Sequence, residues 1–275
     1  MLHLRLRILT GLFLSAFVLI VTWAGGLPFR IFSIIAGGVV FYEWNKLVLP
    51  LQDFLTRVYG WICYVIVCII LLFSYSLSIW IPVLAFLTGL LFLILLSRSH
   101  TGWIAGGFIY SCMFVFTLDM LRGNDSLGLS SVCFLYAVVW GTDIGAYFFG
   151  GTLGGPKLAP IWSPKKTWSG ALGGAAVGIG AGICTAMLIM NASRATSSIT
   201  FFILALFLSV ISQIGDLGES WLKRRFHVKD SGAILPGHGG VLDRVDGLIP
   251  ASIALYIIGS VVAGPGRPSN LFYFL

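Results

Sequence analysis

Nine long apolar runs, separated by short polar turns, leave this chain few folds to choose from. They lie at about residues 8–24, 29–44, 58–75, 77–97, 103–121, 131–149, 168–190, 199–217 and 248–262. A helix needs about 20 residues to cross hydrocarbon, and it satisfies its own backbone N–H and C=O groups where no water can. Only 10% of the residues are charged, against roughly 25% in soluble domains, too few to cover a water-facing globule. The expected fold is an all-α polytopic membrane protein of about nine transmembrane helices. It forms a single membrane domain over residues 1–275, with N-terminal helices in 1–130 and the helices and loops that carry chemistry in 131–265. The least marked boundary lies between Tyr75 and Leu77, where Ser74, Ser76 and Ser78 are the only turn signal.

Arg5 and Arg7 before the first run, and Ala24, Gly25 and Gly26 after it, resemble a secretory signal. The run is long enough to span with slight tilt and other spans follow, so an uncleaved first helix is expected. With nine spans and a cytoplasmic N-terminus, 13 of the 17 Lys and Arg residues fall on the cytoplasmic side, as the positive-inside rule requires. That orientation puts the C-terminus on the far side and both polar loops, 150–167 and 220–247, in the cytoplasm. The net charge of +7 comes from short clusters beside apolar spans, not from a basic face interleaved with aromatics, so no nucleic-acid partner is expected. The five cysteines lie inside apolar runs without CxxC spacing and read as small buried hydrophobes. Gly170, Gly174, Gly178 and Gly182 recur every four residues, a smooth stripe for close helix packing.

A carboxylate inside a bilayer costs about 2.5–3.5 kcal/mol at mid-helix on insertion scales, so one that is kept faces a partner or water. Asp143, among Gly141, Thr142, Gly145 and Ala146, has room around it for a cavity; an interhelical hydrogen bond is the other reading. Asp216, beside Glu219, ends the eighth run where the polar loop opens at Ser220. Asp243 and Asp246 are spaced i, i+3 at the entry to the ninth helix. Two carboxylates held together repel unless a cation or shared proton intervenes, and hard oxygen ligands beside phosphate suit Mg²⁺. Helix capping explains one of the pair more easily than both. Glu43 with Lys46, and Asp119 with Arg122, have the spacing of structural ion pairs.

Anion-binding groups share the same predicted face. Gly237, Gly239 and Gly240 can turn successive N–H groups toward one anion. Lys223, Arg224 and Lys229 precede them, and Asp243, Arg244 and Asp246 follow. Lys165 and Lys166, just before the seventh helix, form a trap for a polyphosphate. His238 sits between glycines, where it contacts phosphate or caps the turn; no second histidine stands at zinc-ligand spacing, and there is no GxxxxGK[ST] loop.

The stretch from Ser220 to Asp246 resembles the signature of the phosphatidate cytidylyltransferases, the CDP-diacylglycerol synthases. The match runs through Ser220, Leu222, Lys223, Arg224, Lys229, Asp230 and Gly232, then Leu235, Pro236, His238, Gly239 and Gly240, and ends on Val241, Asp243, Arg244, Val245 and Asp246. SPKKTW and QIGDLGES are also similar to family stretches, so the resemblance covers the C-terminal half; the N-terminal half matches as a hydropathy pattern. Ser169 departs from the acid or amide that family members often carry after the tryptophan. The resemblance implies a polytopic bacterial inner-membrane enzyme, a homodimer, that makes CDP-diacylglycerol and pyrophosphate from CTP and phosphatidic acid in phospholipid biosynthesis. It implies Mg²⁺, with or without a second cation, held by Asp216, Asp243 and Asp246. Asp143 stands beside them, and Lys223 and Arg224 belong to the catalytic group. Lys165, Lys166, Ser220, Lys229, His238, Gly239, Gly240 and Arg244 would bind the substrates.

Three rivals remain. A proton-coupled secondary transporter predicts acids near the midplane, whereas these fall near the cytoplasmic helix ends. A CDP-alcohol phosphatidyltransferase would need a DGxxAR core, which is absent. A CTP-dependent lipid or polyprenol kinase differs in which phosphorus it transfers.

Overall fold

The computed structural model describes residues 2–48, 53–73, 79–96, 101–189, 198–235 and 239–274. The described part of each apolar run falls on one helix: α1 (Leu2–Ala24), α2 (Gly26–Leu47), α3 (Phe54–Phe73), α4 (Trp80–Leu96), α5 (Thr101–Arg122), α6 (Ser126–Thr152), α7 (Trp168–Ile189), α8 (Ser198–Arg225) and α10 (Leu248–Ala263). Two four-residue helices, α9 (Leu242–Val245) and α11 (Leu271–Phe274), lie on either side of α10. Among the described residues, α2, α3, α5, α6, α7 and α8 are long and apolar enough to cross a membrane. A seventh span results if α10 is joined to the segment Pro268–Phe274 across a 74° bend. The apolar part of α1 and α4 are shorter. The fold is that of an all-α polytopic membrane protein; length and composition support six or seven crossings. The expected boundary near residues 75–77 lies outside the described residues.

One departure from an all-helical chain is local. The SPKKT stretch, expected as loop, is strand β2 (Ser163–Thr167), paired antiparallel with β1 (Lys157–Ala159) through Lys157 opposite Thr167 and Ala159 opposite Ser163. Gly154 and Gly155, at φ 61° and 104°, turn the chain from α6 toward the hairpin in a region of backbone space that costs glycine little.

The chain divides into two compact units, Met1–Asp119 with Phe226–Asp243, and Met120–Arg225 with Arg244–Leu275. In the first, Phe41, Tyr64, Leu93, Ile104 and Phe108 form the core together with Cys63, Cys68 and Cys112, which are free thiols packed as small hydrophobes. The other two cysteines are less enclosed, Cys133 half-buried and Cys184 exposed. The Tyr64 hydroxyl donates to the Ile34 carbonyl at 2.8 Å, which satisfies a buried polar group.

Two expected ion pairs give way to tertiary contacts. Asp119 is gripped by Arg30, whose Nε lies 2.9 and 3.1 Å from the two carboxylate oxygens, while Arg122 donates to the carbonyls of Gly123 and Asp125. Glu43 is buried and points into the protein, whereas Lys46 is exposed. In both cases a tertiary partner displaces the neighbour that helical spacing offers.

The second unit is built on α6 packed along α7. Asp125 caps α6 by accepting from the Gly128 N–H at 2.7 Å, as N-cap residues do. The glycine stripe of α7 lies against α6 as expected: a Cβ at Gly174 would come 2.7 Å from the Thr142 carbonyl oxygen, and one at Gly178 would come 2.8 Å from that of Val138. Thr142 joins α6 to α8 through a 2.8 Å hydrogen bond to the Ser209 hydroxyl.

Candidate active site

α8 continues to Arg225, roughly two turns past the end of its apolar run. Asp216, Glu219, Ser220 and Lys223 therefore stand at i, i+3, i+4 and i+7 on one helix, which puts them on one face. Lys223, Arg224 and Arg225, expected in a loop, occupy its last turn, where the helix dipole favours cations.

Asp246, on the approach to α10, meets this face. Oxygens of Asp216, Glu219 and Asp246 lie within 4.8 Å of one another. Gly215 allows the approach: a Cβ there would lie 2.5 Å from the Asp246 carbonyl oxygen and would run into the Pro250 ring. Asp246 Oδ1 accepts from the Gly247 N–H at 2.9 Å. Its enclosure, and then the charges of Asp216, Glu219 and Asp143, push its carboxyl well above the usual carboxylate range. Asp143 on α6 lies within electrostatic reach of Asp216, Lys166 and Arg244.

Two ammonium groups offset this negative charge. Lys166 Nζ lies 2.5 Å from Asp216 Oδ2, and Lys223 Nζ lies 2.5 Å from Glu219 Oε2. The two adjacent lysines are separated by the strand they share, since successive side chains on a strand point to opposite faces. Lys166 is half-buried against Asp216 and Lys165 is exposed. Arg224 reaches the hairpin instead, its Nε donating to the Trp162 carbonyl at 3.3 Å. Thr167 Oγ1 accepts from the Gly170 N–H at 3.1 Å, and the Ser169 hydroxyl bonds both Thr167 and the Gly154 carbonyl. Ser169 thus ties the hairpin to the start of α7.

A cluster of three carboxylates, two of them already paired with ammonium groups, fits a hard divalent cation. Such ions take oxygen ligands, and charge neutralisation removes the repulsion that adds to the effect of burial on the Asp246 carboxyl. Glu219 stands outside the expected set of Asp216, Asp243 and Asp246, although its spacing from Asp216 and Lys223 on a continuous helix is the signal that places it in the cluster.

Asp243, Lys229, Gly239 and Gly240 belong to the first unit. Asp243 is not among the three clustered carboxylates. Its Oδ1 and Oδ2 lie 3.2 and 3.1 Å from the Ser231 N–H, and Oδ2 also accepts from the Gly240 N–H at 2.9 Å. The Gly240 N–H, expected to face an anion, is thus directed to Asp243. Gly239 adopts φ 85° and bonds Leu235 through its carbonyl at 3.0 Å. Lys229 is exposed, and in the second unit Arg244 is exposed while Ser220 is largely buried. Gly237 and His238 lie outside the described residues.

Comparison with known proteins matches residues 5–262 to the model of the cytidylyltransferase family. The chain is 45% identical over 271 residues to a phosphatidate cytidylyltransferase of Brucella suis biovar 1, covering 98% of both chains, and shows the same identity and coverage with that of Brucella melitensis biotype 1. It is 35% identical over 271 residues to the phosphatidate cytidylyltransferase of Bacillus subtilis, covering 94% of this chain and 98% of the relative. A family match across nearly the whole length extends the resemblance through the N-terminal helices, and this chain belongs to the cytidylyltransferase family.

Proposed function

We propose that the chain transfers CMP from CTP to phosphatidic acid, releasing pyrophosphate and giving CDP-diacylglycerol for phospholipid biosynthesis. The observation that carries this reading is the gathering of Asp216, Glu219 and Asp246 beside Lys166 and Lys223, in a chain matched along its length by phosphatidate cytidylyltransferases. A phosphatidate oxygen attacks the α-phosphorus of CTP in line. The bond from that phosphorus to the bridging oxygen breaks, and pyrophosphate departs with the electron pair. A phosphomonoester has its second pKa at about 6, so the attacking oxygen is already ionised near neutral pH and no general base is required.

Both reactants are anions, so positioning and charge neutralisation carry the catalysis. Asp216, Glu219 and Asp246 would hold Mg²⁺, with or without a second cation, and Asp143 lies beside them. Bound there, Mg²⁺ would supply positive charge to the phosphate oxygens. Lys166 and Lys223 oppose charge on the substrates, assisted by Arg224, Arg244 and the more exposed Lys165. Ser220 is a hydrogen-bond donor on the same helix face. From the resemblance, Lys229, His238, Gly239 and Gly240 also bind substrate. Asp243 acts through the loop whose amides it holds, and Glu219 takes the ligand role expected of it.

We further propose nine crossings in the inner membrane of a bacterium, an N-terminus and active site on the cytoplasmic side, and a homodimer. The distribution of Lys and Arg and the bacterial origin of the relatives support the membrane and the orientation. Purified protein given phosphatidic acid, Mg²⁺ and CTP labelled at the α- or γ-phosphorus tests the reaction. α-Label in the lipid is expected; γ-label would indicate a lipid kinase, and no transfer of either label would favour a transporter.

A further inference from the structure

Glu43 stands on α2, some 180 residues before the signature stretch, yet its carboxylate is at the centre of that stretch's structure. It accepts the Val241 N–H on Oε1 at 3.1 Å, and the Leu242 N–H and the Ser231 hydroxyl on Oε2 at 2.7 and 3.2 Å. Glu43 is 1% exposed. A buried carboxylate is tolerable only when its lone pairs are met, and here the loop itself meets them.

The glycines of the loop follow from this contact. A Cβ at Gly232 would collide with the Glu43 side chain and with nothing else among its three nearest neighbours. At Gly240 it would collide with the Ser231 hydroxyl and approach Glu43 Oε2 to 2.7 Å. Asp243 holds the same loop from the other side through the Ser231 and Gly240 amides. Phe226, where the loop begins, packs edge-on against Trp103 with ring centroids 5.0 Å apart. Two interleaved carboxylates therefore hold Ser231 against Gly240, Val241 and Leu242, and the Leu242 amide bound by Glu43 begins the short helix α9 that leads along the chain to Asp246.

We propose that Glu43 is a positioning residue for cytidylyl transfer: its carboxylate clasps Ser231 to Val241 and Leu242 and sets where the chain enters α9. It touches neither substrate nor cation. Loss of the clasp releases the segment that carries Asp243 and continues to Asp246, so the reaction slows and the cation requirement rises. The inference rests on the cytidylyl-transfer reading. An amide cannot replace the carboxylate, because its NH₂ group would face a backbone N–H donor.

The test compares wild type, Glu43→Gln, Glu43→Ala, Gly232→Ala and the double variant Glu43→Ala/Gly232→Ala, with Lys46→Ala as a control on the exposed face of α2. Glu43→Gln is expected to lower kcat at least tenfold and to raise the Mg²⁺ concentration for half-activation several-fold; a smaller folded fraction alone would leave the latter unchanged. Gly232→Ala should do the same in the native background but add nothing once Glu43 is alanine, since the collision is gone. Hydrogen–deuterium exchange supplies a readout independent of activity: the Val241 and Leu242 amides should be protected in wild type and exchange at least tenfold faster in Glu43→Gln, with α3 unchanged. Rapid exchange of those amides in wild type, or wild-type kinetics in Glu43→Gln, would overturn the proposal. An inactive wild type would instead refute the transfer reading, leaving the exchange result to decide the clasp.

Discussion

At the scale of single residues, charge in this chain is placed by tertiary partners. Arg30 and Asp119 are both nearly buried, with side-chain exposures of 12% and 6%, so removing one strands the other at a cost of about 3–5 kcal/mol. Arg30→Ala should lower the melting temperature markedly, Arg122→Ala less, and Arg30→Ala/Asp119→Ala should recover part of the loss. Equal effects of the two arginine variants would contradict the pairing. Asp246 yields a pH dependence. Its carboxyl titrates well above the ordinary 3.8, so without a cation the stability it contributes is present below that value and is lost as pH rises through the elevated one. A bound divalent ion reverses this by favouring the ionised form. The rise in melting temperature produced by Mg²⁺ should therefore be larger at pH 8 than at pH 5.5, and Asp246→Asn should abolish most of it; a rise that shrinks with pH would contradict the cluster. Helical spacing alone misassigned Glu43 and Asp119 because Lys46 and Arg122 are available at i+3, while the actual partners lie 89 to 199 residues away in sequence.

At the scale of elements, hydropathy reveals the helices but not where they end. The apolar run of α8 stops near residue 217, whereas the helix continues to Arg225. Two more turns of backbone hydrogen bonds form in a segment whose side chains are polar. That extension creates the Asp216, Glu219 and Lys223 face, which is why spacing in the sequence groups Asp216 with Asp243 and Asp246 whereas the structure gathers Asp216, Glu219 and Asp246. Strand β2 was hidden for a similar reason: five residues with two lysines and a proline have no apolar alternation. The glycine stripe of α7 was legible, because small residues every four positions have a single strong explanation. It makes a quantitative prediction. Gly174→Ala places a methyl 2.7 Å from the Thr142 carbonyl oxygen, and overpacking of this kind costs about 1–3 kcal/mol. Thermal or SDS unfolding should register the loss, and Gly180→Ala, with open space at its Cβ, should not.

At the scale of the whole molecule, the sequence and family match describe a membrane enzyme, and its chemistry follows from where the charged groups gather. The first unit clasps the signature loop with Glu43 and Asp243; the second brings three carboxylates and two lysines together. A protein that neutralises phosphate charge with such a group should transfer a phosphorus centre only when all three carboxylates are present. Asp216→Asn, Glu219→Gln and Asp246→Asn are each expected to lower kcat/KM by at least a hundredfold, about 2.7 kcal/mol at 1.36 kcal/mol per decade. Lys165→Ala should cost less than Lys166→Ala, because Lys165 is exposed and Lys166 is held against Asp216. The most direct measurement of the central claim is transfer of phosphorus from CTP to phosphatidic acid by the purified protein with Mg²⁺. The account predicts that α-phosphorus label appears in the lipid with one pyrophosphate released per CDP-diacylglycerol formed; γ-phosphorus label in the lipid, or no pyrophosphate, would contradict it.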